Sequence, residues 1–266
     1  MSIWISLTTH AQRINLIEPV IESWLDPRLW GDKYKDFSGV LLSLGKNDGR
    51  TGENILLPKW CTNGKYKNLY VSQWKDDWGP IMKFIGVLKF DKMKKDDIII
   101  SVDDDIRIDK DTFKKLIDGN ILCPESITCV VGGHIIESGE RFITLEADQI
   151  RKRREVDFFC TGGGGTVWKR SWISDDFTNI IKKHILNKRD KNFYFSDDLV
   201  ASWWFRKVKN LKIIENCFRQ EQSCRKNRED YHLDKYAIHK GANGATSRFG
   251  FDWPMYQKTY KILKKL

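Results

Sequence analysis

Residues 98–102 read Ile-Ile-Ile-Ser-Val, and this almost unbroken apolar run restricts the fold more than any other segment of the chain. A run of this kind is typical of a central strand in a sheet that is covered on both faces. Residues 3–7 form a similar run and are followed by polar Thr8 and Thr9, so the chain is predicted to begin inside the same sheet.

Strands alternate with helices along the first hundred residues. Apolar positions from Ile14 recur at helical spacing until Pro27 ends the pattern. Further strands are predicted at 39–42 and 69–71, and Pro80 lies where another helix can begin. Repeated strand-then-helix units predict an α/β fold with a mostly parallel central sheet flanked by helices.

The pattern after residue 105 is mixed. The sequence contains no internal repeat and no linker rich in Pro, Gly or Ser, so one continuous two-part domain is expected over residues 1–266. The elements predicted there are helices at 113–117, 198–208 and 256–266, and strands at 127–131, 142–145, 156–160 and 211–214.

Basic residues are concentrated near the C-terminus. The chain has 46 Lys and Arg against 36 Asp and Glu, a net charge of +10, and residues 201–266 contribute 15 basic and 6 acidic side chains. This excess fits a polyanionic partner, a membrane surface or a solvated basic face. The six dispersed cysteines contain no Cys-x-x-Cys pair, and no secretion signal or membrane span is evident, so a soluble cytoplasmic protein with reduced thiols is expected.

Three aspartates, Asp103, Asp104 and Asp105, directly follow the run at 98–102. Ligands bind at the carboxyl ends of strands in α/β sheets. In an extended chain Asp103 and Asp105 face the same way and could converge on one hard cation such as Mg²⁺ or Mn²⁺. The alternative is an acidic turn with solvated carboxylates.

With this aspartate motif, the sequence resembles the metal-dependent glycosyltransferases of the GT-A fold, in particular small bacterial and large-DNA-virus members with an Asp-x-Asp motif. Residues 6–9 with Arg13 resemble the family's first strand and nucleotide-binding loop, residues 78–80 with Lys83 its donor-side helix, and residues 196–198 its acidic acceptor-side motif. The resemblance covers residues 3 to about 214. It implies a Rossmann-like fold with a nucleotide-sugar-binding half (1–105), a mixed acceptor-side half (106–214) and a basic C-terminal segment (215–266).

The resemblance also implies roles for individual residues. Asp103 and Asp105 would bind Mn²⁺ or Mg²⁺, with His239 as a C-terminal ligand. The donor, a nucleotide-diphosphate sugar that is UDP-linked in our prediction, would be bound by Thr8, Thr9, Arg13, Lys83, Asp103 and Asp104. Lys83 and Arg13 could equally be ordinary surface charges, and His239 could have a surface or core role.

Asp197 and Asp198 lie where a loop enters a predicted helix. They could simply cap that helix. By the resemblance, Asp198 would be the general base that takes a proton from the acceptor hydroxyl, with Asp197 holding acceptor hydroxyls. A base of this type implies a single displacement with inversion at the anomeric carbon.

A glycine segment at residues 161–166 lacks the Gly-Lys-Ser/Thr ending of a phosphate loop, so that type of site is excluded. Similar segments border the reacting sugar in GT-A enzymes, so Gly163 and Gly164 are predicted to contact the acceptor, although a plain turn is the alternative. Tryptophan is most often a core residue, but Trp168 and Trp203 could offer a flat apolar face to an acceptor sugar.

The leading prediction is an inverting, metal-dependent glycosyltransferase with a glycan or glycoconjugate acceptor, in the host cytoplasm if the chain is viral. One alternative is a metal-dependent nucleotidyltransferase, which would release pyrophosphate. The other is a basic nucleic-acid-binding protein that uses the C-terminal tail, and its binding would weaken steeply with salt. With the transferase as the leading prediction, no nucleic-acid partner is expected.

Overall fold

A computed structural model describes residues 1–105, 107, 110–136, 141–144, 153–161, 164–187, 191–216 and 253–266. The strands are β1 (Ile3–Leu7), β2 (Phe37–Gly45), β3 (Leu69–Trp74), β4 (Ile98–Ser101), β5 (Ser126–Cys129), β6 (Gly132–Ile136), β7 (Arg141–Thr144), β8 (Arg154–Val156), β9 (Phe158–Phe159), β10 (Thr166–Lys169) and β11 (Lys212–Glu215).

The α-helices are α1 (Glu18–Leu25), α2 (Pro27–Trp30), α3 (Lys59–Thr62), α4 (Met82–Ile85), α5 (Lys110–Leu122), α6 (Asp175–Lys182), α7 (Lys191–Phe195), α8 (Asp197–Trp203) and α9 (Trp253–Leu263). Short 3₁₀ turns occupy Gly31–Asp36, Gly79–Ile81, Gly86–Lys89 and Arg170–Trp172, and π-helical turns follow α6 at Lys183–Asn187 and α8 at Trp204–Val208.

Eight strands form the main sheet in the order β3-β2-β1-β4-β10-β5-β11-β8. The first four are parallel to one another, whereas β10 is antiparallel to both β4 and β5. A separate three-stranded antiparallel sheet has the order β7-β6-β9. The α/β fold with a parallel first half and a mixed second half is therefore confirmed.

The sheet is buried on both faces because its central strands are apolar on both sides. Ile98 and Ile100 of β4 belong to one hydrophobic cluster with residues of α1, α2 and α5, while Ile99 belongs to a second cluster with residues of α4, α6, α8 and α9. Both faces of β4 are thus covered, as the run at 98–102 predicts.

Most predicted elements are present with small differences at their ends. The chain splits the predicted strand at 156–160 into β8 and β9 around Asp157, and the predicted helix at 198–208 becomes α8 followed by a π-helical turn. The sequence pattern does not indicate β6, β10 or α6. The four described cysteines are free, and no helix in the described residues is both long and apolar enough to cross a membrane.

The topology brings several chain segments to one edge of the sheet. β1 and β4 are parallel neighbours, so the residues after each strand lie side by side. β10 runs the other way, with Thr166 opposite Ser101, so the segment that precedes β10 reaches the same edge. Residues 8–13 and 103–105 therefore meet Thr161, Gly164 and Gly165 beyond the carboxyl end of β4.

Candidate active site

The three aspartates after β4 do not remain in an extended conformation, because the chain turns at residues 104 and 105. Asp103 accepts a hydrogen bond from Lys83, whereas Asp104 and Asp105 both pair with Arg13. The alternation expected for a strand is lost in the turn. Asp103 and Asp105 thus pair with different cations in this structure, and their convergence on one metal ion stays a prediction.

The Arg13 cluster consists of Thr9, Arg13, Asp104 and Asp105. The guanidinium of Arg13 forms an ion pair with Asp104 and a second one with Asp105, in which Nη2 and Oδ2 are 3.3 Å apart. Asp104 also accepts a hydrogen bond from the Thr9 hydroxyl. Burial lowers the pKa of Arg13, but the attraction of Asp104 and Asp105 outweighs it and raises the pKa overall.

His10 lies beside this cluster and is buried. Its Nδ1 is 3.7 Å from Asp48 Oδ2. Burial and the nearby charge of Arg50 lower the pKa of His10 to about 4. The imidazole is therefore neutral at physiological pH. Thr8, which precedes these residues, is half-buried.

The Lys83 cluster consists of Lys83, Asp103, Thr161, Asp197 and Asp198. Lys83 belongs to α4, and its side chain is only 3% exposed. Its ammonium lies 2.5 Å from Asp103 Oδ1 and 2.6 Å from Asp197 Oδ2. Burial lowers the pKa of Lys83, but the attraction of Asp103, Asp197 and Asp198 outweighs it, so the pKa is raised and the ammonium stays charged.

The sequence explains why Lys83 reaches this position. Gly79 and Pro80 start the turn before α4, and Gly79 has a φ of +74°, which favours glycine. A Cβ at Gly79 would come within 2.5 Å of the Tyr194 ring. The Lys83 carbonyl then accepts a hydrogen bond of 2.6 Å from Ser6 in β1, which fixes α4 against the sheet.

Asp197 and Asp198 begin α8, so their carboxylates lie at the positive end of that helix. Asp198 is held by Thr161: Oδ1 accepts from the hydroxyl at 2.8 Å and Oδ2 from the backbone N–H at 3.1 Å. α8 is held against β9 by Ser202, which accepts from Phe159 N and donates to the Asp198 carbonyl. The acidic pair is thus fixed in a rigid frame.

Burial raises the pKa of the Asp198 carboxyl well above its ordinary value, and the neighbouring Asp197 raises it further. Burial also raises the pKa of Asp197, although the ion pair with Lys83 opposes this effect. A carboxylate with raised proton affinity is a better general base than an ordinary one.

The predicted acceptor residues have different outcomes. Trp168 is fully buried in β10, its indole N–H donates to Ser101 at 2.9 Å, and its ring packs near Phe84 and Phe205. It is a core residue, so the expectation that it faces an acceptor is corrected. Trp203 is half-buried and Gly164 is buried with a φ of +129°. Gly163 and His239 lie outside the described residues.

Among the described residues, the two clusters bring together five carboxylates and two cations, Arg13 and Lys83. This excess of hard oxygen donors fits a divalent cation such as Mg²⁺ or Mn²⁺. Within the part of the chain that the structure describes, no three Asp, Glu, His or Cys side chains form a metal-binding group. The protein ligands that fit are the partly exposed carboxylates of Asp103 and Asp105, 33% and 12% exposed.

Thr161 is the residue of the site that sequence reasoning missed. Its hydroxyl contacts Lys83, Asp103 and Asp198, and the residue is fully buried. The signal in the sequence is slight: a hydroxyl residue between an apolar strand and a glycine segment. Asp48, which caps the backbone N–H groups of Ala11 and Arg50, was also not indicated.

No protein-family model and no curated protein sequence matches this chain. Solved structures do resemble it. The structure of GalNAc-T7 with UDP, GalNAc and Mn²⁺ is similar over 99% of this chain, with 11% sequence identity and a TM-score of 0.52. The chain has a GT-A fold. The likeness at this identity concerns the GT-A architecture alone.

A second GT-A structure, residues 1–349 of TarS from S. aureus in complex with UDP-GlcNAc, is similar over 82% of this chain, with 12% identity and a TM-score of 0.47. The chain spans a little over half of each of these structures, 54% of GalNAc-T7 and 56% of TarS.

Proposed function

We propose that this chain is an inverting glycosyltransferase that moves a sugar from a UDP-linked donor to a hydroxyl group of a glycan. The observation that carries the proposal is the Lys83 cluster, in which a carboxylate at the end of β4 and an acidic pair at the start of α8 share one ammonium group. The GT-A fold supports it, and so does the presence of UDP and GalNAc in the similar GalNAc-T7 structure.

The proposed reaction is a single displacement. Asp198 takes the proton of the acceptor hydroxyl, the acceptor oxygen forms a bond to the anomeric carbon, and the bond from that carbon to the diphosphate oxygen breaks. The products are the glycoside, UDP and a protonated Asp198, which then releases its proton. Asp197 would hold acceptor hydroxyls, as its place beside Asp198 allows.

The remaining residues would hold and neutralise the donor. Arg13 and Thr9, with Asp104, lie where the loop after β1 meets the turn after β4, a position suited to a nucleotide. Lys83 supplies a buried positive charge near the departing diphosphate. Mn²⁺ or Mg²⁺ held by Asp103 and Asp105, with His239 as the further predicted ligand, would stabilise the negative charge of the leaving group as a Lewis acid.

The first experiment measures thermal unfolding with a panel of UDP-sugars, with and without Mn²⁺. A ligand that binds only the folded state stabilises it by about 2.7 kcal/mol at a concentration of 100 Kd. We expect a metal-dependent increase in Tm with at least one UDP-sugar. No shift with any UDP-sugar at saturating concentration would contradict the proposal.

The second experiment follows UDP release from the best donor in the presence of a glycan array. Asp198→Asn should retain UDP binding and lose roughly 100- to 10,000-fold in turnover, the usual contribution of a general base. Asp105→Asn should instead lose the metal-dependent part of donor binding. If the chain released pyrophosphate and attached the nucleotide to its acceptor, it would be a nucleotidyltransferase.

A further inference from the structure

Thr161 connects Asp103, which would bind the donor and its metal ion in the proposed function, with Asp198, which would take the proton of the acceptor. Its hydroxyl oxygen lies 2.7 Å from Lys83 Nζ, 3.0 Å from Asp103 Oδ1 and 2.8 Å from Asp198 Oδ1. The residue is fully buried, so it is a positioning residue and does not contact substrate.

The Thr161 hydroxyl cannot form full hydrogen bonds with both carboxylates at the same time. An ammonium has no acceptor, so Lys83 must donate to the Thr161 oxygen. The hydroxyl then has a single proton to donate, and two carboxylate oxygens lie within reach of it. It bonds either Asp103 or Asp198, and the other carboxylate goes without that bond.

The frame around the hydroxyl is independent of this choice. The Thr161 backbone N–H donates to Asp198 Oδ2 in either case, and its carbonyl accepts from the N–H groups of Gly164 and Gly165. A rotation about one side-chain bond of Thr161 is therefore enough to move the proton from one carboxylate to the other.

We propose that the Thr161 hydroxyl couples donor binding to the state of the acceptor-side carboxylate. In the free protein, Asp103 competes for the hydroxyl proton. When the donor diphosphate and its cation engage Asp103, the hydroxyl turns to Asp198 and holds that carboxylate in place to receive a proton. Donor binding would thus prepare Asp198 before the acceptor arrives. This inference rests on the proposed function.

The test uses infrared difference spectra on addition of UDP with Mn²⁺ to the full chain. Subtracting the spectrum of Asp198→Asn identifies the Asp198 carboxylate band. We expect this band to shift in the unaltered protein and in Thr161→Ser, which retains the hydroxyl. In Thr161→Val, which has nearly the same shape but no hydroxyl, the shift should be lost.

Turnover of a UDP-sugar with water as the acceptor gives a second readout. Loss of a hydrogen bond to a charged group corresponds to roughly a 10- to 100-fold effect, so kcat should fall by that factor in Thr161→Val while the donor KM changes by less than about twofold. Thr161→Ser should recover most of kcat. If Thr161→Val does not fold, Thr161→Ala also removes the hydroxyl, and it does so without placing an additional methyl group in the site.

The coupling would be overturned if the Asp198 band still shifted in folded Thr161→Val, or if kcat of Thr161→Val equalled that of the unaltered protein. If UDP still bound in that case, the proposed function would not be affected. Absence of any UDP binding to the unaltered protein would overturn both.

Discussion

The Arg13 cluster and the Lys83 cluster lie at the same edge of the sheet but are built differently. The Arg13 cluster joins the loop after β1 to the turn after β4, both within the parallel half. The Lys83 cluster joins α4 and the end of β4 to Thr161 and to the start of α8, so it spans both halves of the chain. All residues of the first cluster come from the parallel half, whereas those of the second come from both halves of the chain.

The clusters also differ in charge. Arg13 and Lys83 each form ion pairs with two carboxylates, and Asp103 also attracts Arg13. The Lys83 cluster contains Asp198 as a third carboxylate for its one cation, and the pKa values of both Asp197 and Asp198 are raised. Structural ion pairs usually avoid such an excess, because a buried charge without compensation is costly. A stored excess of negative charge is instead typical of a site that binds a cation or exchanges protons.

The largest effect is expected from Lys83→Met. The change would leave buried Asp197 and partly exposed Asp103 without their shared cation, and removal of one partner from a buried ion pair costs about 3–5 kcal/mol. Urea unfolding at pH 7 would measure the loss in the free energy of unfolding. Lys95→Met, at an exposed position, is the matched control and should change it by less than about 0.5 kcal/mol. An equal effect from both variants would contradict the role of Lys83 as the cation of a buried ion pair.

Arg13→Met should cost less, about 2–3 kcal/mol, although Arg13 is also buried. Thr9 would still donate to Asp104, and the Arg13 cluster contains two carboxylates where the Lys83 cluster contains three. Arg13→Lys should recover part of the loss, because an ammonium restores the charge but not both ion pairs. The same unfolding measurement checks the order; a larger loss for Arg13→Met than for Lys83→Met would reverse the comparison.

The parallel half of the fold could be predicted from sequence because its signals are local. The apolar run at 98–102 and the strand-then-helix units each depend on neighbouring residues, and β1, β2, β3 and β4 all lie where they are predicted. By contrast, β10 has only four residues and follows a glycine segment. Its antiparallel pairing with β4 depends on contacts distant in sequence, which no local pattern reveals.

Most residues of the candidate site could be predicted from the sequence, but the ion pairs between them could not. Lys83, Asp103 and the Asp197–Asp198 pair were all expected near a ligand, and the structure brings them together. That Lys83 pairs with Asp103 and Arg13 with Asp104 follows from the turn at residues 104 and 105. Thr161 could not be found from its type, since a buried threonine is ordinary until its three partners are known.

The two clusters should respond to pH in opposite directions, and His10 reports on the Arg13 side. The pKa of His10 is about 4 in the folded protein, against an ordinary value of 6.5. The free energy of unfolding is therefore not reduced by this group above pH 6.5, and it decreases as the pH falls from 6.5 toward 4. We expect His10 to lower the free energy of unfolding by about 2 kcal/mol at pH 5 relative to pH 7.5. His10→Gln should lose less stability between these two pH values in urea unfolding. An unchanged pH dependence in His10→Gln would show that the imidazole is not kept neutral by burial.

The smallest effect, and the one of opposite sign, is expected from Asp198→Asn. Because the folded-state pKa of Asp198 is raised, its ionised form destabilises the fold, and this cost is absent below the ordinary pKa and grows as the pH rises through the folded-state value. The asparagine can still accept from Thr161 N–H, and its amide can donate to the Thr161 hydroxyl. We therefore expect the free energy of unfolding of Asp198→Asn to exceed that of the unaltered protein at pH 8 and to equal it at pH 4. A variant that is less stable than the unaltered protein at pH 8 would mean that the Asp198 charge is fully compensated, which would leave the Lys83 cluster a structural ion-pair network like the Arg13 cluster.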